Sequence, residues 1–293
     1  MLRNAYGRGG MLAVRPTTAQ GCASCTSRDC VLARNRSRWD ARSCPSLLNP
    51  AKLESNAECL VCGQCLKSCQ PDNMGLLLRP PISAKDSRER LASWPLTLFV
   101  MLVSGFVTSE LAAEWPKAQE MFLWLSQRFS AAIGVQAGKG WLNGWWILFV
   151  FPALTWTLLA FIVKFFDGNW RLVEIWRRLA LPMAAVISFA HMTKAVIKFD
   201  SWADFLPLAL KNPQGMDTAQ KITSGLLSSP QPIVGIGSVS ILGTVLILLG
   251  LLFGIREFRL AQGKSSLTWR VPKLAFAGIY LLIVIGLGLS TFG

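Results

Sequence analysis

From residue 94 onward the chain alternates long apolar runs with polar segments. Five runs, 94–113, 145–166, 179–199, 233–253 and 271–292, hold the roughly 20 largely apolar residues that a helix needs to cross a hydrocarbon core of about 30 Å. The pattern predicts five membrane-spanning helices. Ser93 stands where an N-cap belongs and Pro95 falls in the first turn, so the first helix has a defined start. Pro152 and Pro182 fall early in the second and third runs, where they predict kinks. Gly250 and Gly254, one turn apart, predict a close helix contact in the fourth run. Two shorter stretches, 121–135 and 202–210, are too mixed to span and read as helices lying in the membrane interface.

Residues 1–93 lack this pattern. Of the whole chain 52% is hydrophobic and 16% charged, yet all eight cysteines precede residue 70. So small and polar a head cannot build a large core and needs a metal or disulfides to hold it together. Residues 1–10 show neither the apolar core nor the small-residue site of a secretory leader. With nothing to route the cysteines to an oxidising compartment, metal ligation is expected in place of a disulfide framework.

The net charge is +14. Its distribution argues for membrane topology and against a nucleic-acid partner, because the basic residues gather at alternate ends of the apolar runs. The head is Arg-rich. The loop after the second run carries Arg171, Arg177 and Arg178, and the loop after the fourth carries Arg256, Arg259, Lys264 and Arg270. The other two loops are longer and balanced, with Glu114 and Glu120 against Lys117, Arg128 and Lys139, and Asp200, Asp204 and Asp217 against Lys211 and Lys221. This pattern predicts a cytoplasmic head and an outer C-terminus.

The strongest motif reads Cys59-x2-Cys62-x2-Cys65-x3-Cys69, with Pro71 two residues on. This is the bacterial ferredoxin run, in which three closely spaced thiolates grip one cube of iron and sulfide while the fourth serves a second cube. Gly63 lets the backbone turn tightly inside it. A looser group, Cys22-x2-Cys25-x4-Cys30-x13-Cys44-Pro45, precedes it. Crossed ligation assigns Cys22, Cys25, Cys30 and Cys69 to one 4Fe–4S cluster and Cys44, Cys59, Cys62 and Cys65 to the other. The alternative for eight cysteines is a pair of four-Cys zinc sites, which usually come as separated C-x2-C knuckles; the triple run fits that pattern poorly. Between the groups, the insert 31–43 sets Arg34, Arg36, Arg38 and Arg42 around Trp39. It reads as a solvated basic loop near the inner leaflet or as a dock for anionic lipid or an acidic partner.

Cys22-x2-Cys25-x4-Cys30-Val31, then Cys44-Pro45, then Asn56-x2-Cys59-Leu60-x-Cys62-x2-Cys65-x-Lys67-x-Cys69, and finally Leu78-Arg79-Pro80-Pro81 before a membrane helix, form an ordered series. The series resembles the membrane-bound polyferredoxins of the NapH, NosR and CcoG type, 4Fe–4S proteins of bacterial inner membranes. The resemblance is specific over residues 20–82 and architectural beyond. It implies a head that passes electrons between a quinone pool or cytoplasmic donor and a respiratory or maturation partner. Members of that family commonly carry further helices upstream, and residues 1–19 read as the linker that would follow them in a shortened relative. The expected fold is α+β: a ferredoxin-like two-cluster head over 20–82, a linker over 83–93, and an all-α domain of five helices over 94–293.

Three functions follow: an electron-transfer subunit working with a redox partner and possible quinone donor, a maturation factor that reduces a client's metal or thiol, and a zinc-stabilised anchor or transporter. The chain has one histidine, His191, and so cannot ligate a bis-histidine haem alone. Ionisable groups inside a membrane domain are costly and point to function. Glu110 falls about 24 Å along the first helix and His191 about 18 Å along the third, followed by Lys194 and Lys198 at one-turn intervals. They form a candidate polar site: either Glu110 pairs with His191 or Lys194 at a quinone or proton-relay position, or the lysines extend to the interface and His191 is a packing residue.

Overall fold

The computed structural model describes residues 11–31, 44–46, 48–53, 59–69, 72–80, 83, 91–134, 139–168, 170–228, 234–262 and 267–290. The arginine-rich insert, most of the 83–93 linker and the outer parts of the fourth and fifth predicted runs (residue 233 and residues 291–292) lie outside them. Among the described residues, five helices are long and apolar enough to cross a membrane: Trp94–Ala112, Gly140–Phe166, Leu172–Ala203, Ile236–Gln262 and Thr268–Leu289. The chain divides into two compact units. The first comprises residues 1–100, 162–185 and 253–270, and the second residues 101–161, 186–252 and 271–293.

In the first unit, β1 (Leu12–Pro16) pairs antiparallel with β2 (Met74–Leu78), in a register that sets Leu12 opposite Leu78 and Pro16 opposite Met74. The ladder thus closes a loop that contains the described parts of both cysteine groups. The N–H of Thr17 donates to the carbonyl of Asn73 at 2.8 Å and extends the closure by one step. Two short helices lie between the strands: α1 (Ala19–Ala23), capped by Thr18, and α2 (Gln64–Ser68). Gly63 precedes α2 at φ +72°, a left-handed conformation that L side chains rarely adopt. A small core joins Val14, Met74 and Cys69, with Val61, Cys65 and Leu66 packed against it. The structure is mostly helical, with one two-stranded sheet among the described residues, so the α+β expectation is met only by this β-pair.

The helical part of the first unit is tied by arginine and tryptophan. The side-chain Nε of Arg177 donates to the carbonyl of Ala92 at 2.7 Å, and the N–H of Ala92 donates back to the Arg177 carbonyl at 3.2 Å. Arg178 lies over the Trp170 ring at 4.0 Å. The indole N–H of Trp269 donates to Asp167 at 3.0 Å, and Trp269 stacks on Phe258.

The second unit begins within α3 (Trp94–Ala112), whose start is fixed by Thr97, which donates to the Ser93 carbonyl through both its N–H and its hydroxyl. The chain then turns into α4 (Pro116–Ile133) and returns through α5 (Lys139–Trp145), a π-helical turn (Trp146–Val150) and α6 (Phe151–Phe166). The π turn is where Pro152, lacking an N–H, cannot complete the regular ladder. Close packing there requires Gly105: a Cβ on it would stand 2.0 Å from the Ile147 carbonyl oxygen. Trp156 is buried and donates to Ser104 at 3.1 Å. A Cβ on Gly250 would press on Phe189 at 2.7 Å, so this glycine does mark a close contact.

The remaining elements are α7 (Leu172–Ala203), α8 (Leu206–Lys211), α9 (Met216–Thr223), α10 (Ile236–Gln262) and α11 (Val271–Leu289). Two helices exceed the predicted runs. α7 starts seven residues before 179 and places Pro182 in its interior, and α10 continues through Arg256 and Arg259. Charged residues end an apolar run, but they do not end a helix. Outward stripes on α6 (Leu154, Leu158, Phe161, Phe165) and α10 (Ile241, Val245, Leu248, Leu252) are exposed, as lipid-facing helices require. Residues 121–133 of the stretch expected to be interfacial lie in α4, where Met121, Leu125, Phe129 and Ile133 form an exposed apolar stripe. The stretch 202–210 is instead divided between the end of α7 and α8.

Candidate metal centre

The backbone around the cysteines is unusual. Arg28, Val61 and Asp72 have positive φ (48°, 51° and 49°) without being glycine. Arg28 lies between Cys25 and Cys30, Val61 between Cys59 and Cys62, and Asp72 three residues after Cys69. Such residues cost about 1–3 kcal/mol each and persist where their surroundings over-determine them.

The thiols fall into two sets. Cys22, Cys25, Cys30 and Cys69 line one cavity of about 330 Å³, together with Gly21, Met74 and others. Cys44, Cys59, Cys62 and Cys65 line a second, narrower recess of about 20 Å³, beneath Val14 and Leu48. Cys69 reaches the first set although it is contiguous in sequence with the second, because α2 intervenes between Gly63 and Cys69 and carries the chain away. Among the described residues, no group of three or more His, Cys, Asp or Glu side chains is arranged to hold a single metal ion.

Electrostatics distinguish the thiols. The backbone N–H of Arg28, then the Ser27 hydroxyl, hold the Cys25 thiol below its ordinary range. Burial pushes Cys30 up, followed by the negative potential of Cys69, Cys25 and Cys22. Burial, then the neighbouring Cys59, push Cys65 up to about 11. Hydrogen bonds reach the sulfurs as well: Val61 N–H donates to Cys59 at 3.4 Å, and Asn73 N–H donates to Cys69 at 3.3 Å. Asn73 is a residue the sequence reading missed. Its only sequence signal is its place four residues after the last cysteine, at the mouth of β2.

The membrane polar residues form a different constellation. Lys194 is buried; its ammonium lies 3.5 Å from the Glu110 carboxylate and donates to the Glu110 backbone carbonyl at 2.9 Å. Its closest partner is Glu114, which Lys198 also approaches at 3.4 Å. Glu114 was counted only as a loop charge in the sequence, yet it is one turn beyond Glu110 and shares its side of the chain. His191 is not in this group. It is exposed, and its ring lies 6.4 Å from that of Phe106. Three residues advance a helix by about 300°, so Lys194 lies about 60° round α7 from His191, on the side that is buried.

Comparison with family models, with curated proteins and with solved structures found no match.

Proposed function

We propose that this chain is a membrane-anchored electron-transfer protein whose head holds two 4Fe–4S clusters, one on Cys22, Cys25, Cys30 and Cys69 and one on Cys44, Cys59, Cys62 and Cys65. The observation that carries the reading is the sorting of the eight thiols into the two crossed sets that the ferredoxin spacing predicts. The donor set is all sulfur, the ligand type that selects such clusters. A mononuclear zinc site would bring four thiolates to about 2.3 Å from one point. The first set instead rings a cavity of about 330 Å³, an arrangement that suits a multi-iron body. In this reading the β-pair and the two short helices form a ferredoxin-like head, in keeping with the resemblance of residues 20–82 to membrane-bound polyferredoxins.

A 4Fe–4S cube supplies one-electron carriage. The protein's share is to hold it. Gly63 and the three positive-φ residues fix the thiols, the Val14–Met74–Leu66 core shields one side, and the N–H groups of Val61 and Asn73 donate to coordinating sulfurs. The basic inner loops orient the head to the cytoplasm of a bacterial inner membrane, where it meets a redox partner and a quinone or soluble donor. The test is reduction in membranes. Adding a quinol or a low-potential donor is expected to bleach the cluster absorbance; a chain reduced by neither is no electron-transfer subunit.

A further inference from the structure

Asn73 stands at the centre of a hydrogen-bond network that touches the thiols of two separate cysteine motifs. It is buried, with 7% of its surface exposed. Its side-chain carbonyl accepts from the Thr17 hydroxyl at 2.6 Å, the Thr18 hydroxyl at 2.9 Å and the Thr18 N–H at 3.0 Å. The Thr18 N–H can only donate and the Thr18 carbonyl can only accept, and the two together fix which end of the amide is which. The Nδ2 group is thereby aimed the other way. It donates to the Thr18 carbonyl at 2.7 Å and to Cys22 Sγ at 3.3 Å. The backbone N–H of the same residue donates to Cys69 Sγ at 3.3 Å. One residue therefore serves the first and last cysteines of a single set. The approach is possible because position 21 is glycine: a Cβ there would stand 2.6 Å from the Asn73 amide.

We infer that Asn73 is the potential-setting residue of the Cys22/Cys25/Cys30/Cys69 cluster, raising its reduction potential above that of an otherwise equal cluster without these bonds. This rests on the proposal that those four thiols hold one cluster. Adding an electron makes the coordinating sulfurs more negative, and an N–H donor aimed at a sulfur stabilises that added charge. Asn73 supplies two such donors from opposite ends of the set. In the other set the backbone N–H of Val61 donates to Cys59 at 3.4 Å. Thr17 and Thr18 act through Asn73, as positioning residues that keep Nδ2 toward Cys22.

The experiment is an EPR-monitored redox titration of the purified full chain in detergent, with dithionite as reductant, on wild type, Asn73→Leu and Thr17→Val. Asn73→Leu keeps the size and adds no charge but removes the donor to Cys22; the backbone donor to Cys69 remains. One of the two couples is expected to move to more negative potential and the other to stay in place, which makes the second cluster the internal control. Thr17→Val is expected to move the same couple the same way by less. Two unmoved couples in Asn73→Leu, or two that shift equally, would overturn the inference. If Asn73→Leu assembles only one cluster, Thr17→Val decides: an unmoved couple there overturns it. Iron and acid-labile sulfide measured on wild type separate the premises, since a wild-type chain without clusters defeats the functional proposal before Asn73 is tested.

Discussion

The Lys194 ammonium lies 3.5 Å from the Glu110 carboxylate and closer still to Glu114, and it joins α7 to the end of α3. Lys194 is nearly out of contact with solvent, whereas Lys198, at the other edge of the group, is about half exposed. Two carboxylates and two ammonium groups balance one another, so the cluster is neutral as a whole. This is the arrangement of a clamp between helices more than of a relay, because His191 lies outside it.

Removing one partner of such a pair leaves the other charged and poorly hydrated, which costs about 3–5 kcal/mol when burial is complete. Lys194→Met is therefore expected to destabilise the membrane domain by up to about 3 kcal/mol. The double variant with Glu114→Gln should recover part of that loss. Thermal unfolding in detergent measures both. Equal midpoints for Lys194→Met and wild type would remove the clamp.

Thiol reactivity should follow the environments of the cysteines. The thiolate is the reacting form. Cys25, lowered by the Arg28 N–H, should be alkylated by iodoacetamide faster than Cys30 in chain stripped of iron at pH 8. Cys65, raised to about 11, should be slowest, and its rate should still be climbing where that of Cys25 has levelled off. The same sign governs ligation. Bound thiols must lose protons, so reconstitution should become more complete as pH rises from 6.5 to 8.5. Mass spectrometry of the alkylated peptides reads the order, and a Cys65 that reacts ahead of Cys25 would contradict it.

Topology is testable from the C-terminus. Five spans with the head inside place Gly293 outside. A reporter fused after Gly293 that works only beyond the membrane should be active, and one that works only in the cytoplasm should be silent. The reverse result would change the number of spans or their orientation.

The membrane spans were readable in the sequence because a bilayer imposes one strong rule, an apolar run of sufficient length. The same rule misplaced their ends. Glu174, Arg177 and Arg178 stop the apolar run, but they sit comfortably on the first turns of α7, so the helix began earlier than hydropathy showed and Pro182 became an interior residue. The grouping of the thiols about two recesses follows their spacing, since a cysteine motif is written locally. Asn73 was not readable. Its role depends on strand pairing that brings residue 73 beside residues 17, 18 and 21, a juxtaposition of segments more than 50 residues apart. Glu114 is one turn beyond Glu110, but the apolar run ends at 113, so hydropathy alone sets it in the loop.

The central claim is the pair of clusters, and iron counting tests it most directly. Chain purified anaerobically should contain about eight irons and eight acid-labile sulfides, because each cube takes four thiolates. Dithionite should then generate the EPR signals of two reduced clusters. Cys62→Ser should bring the count to about four and leave the signal of the Cys22/Cys25/Cys30/Cys69 cluster. Zinc in place of iron, or wild-type chain with about four irons and one silent motif, would contradict the account.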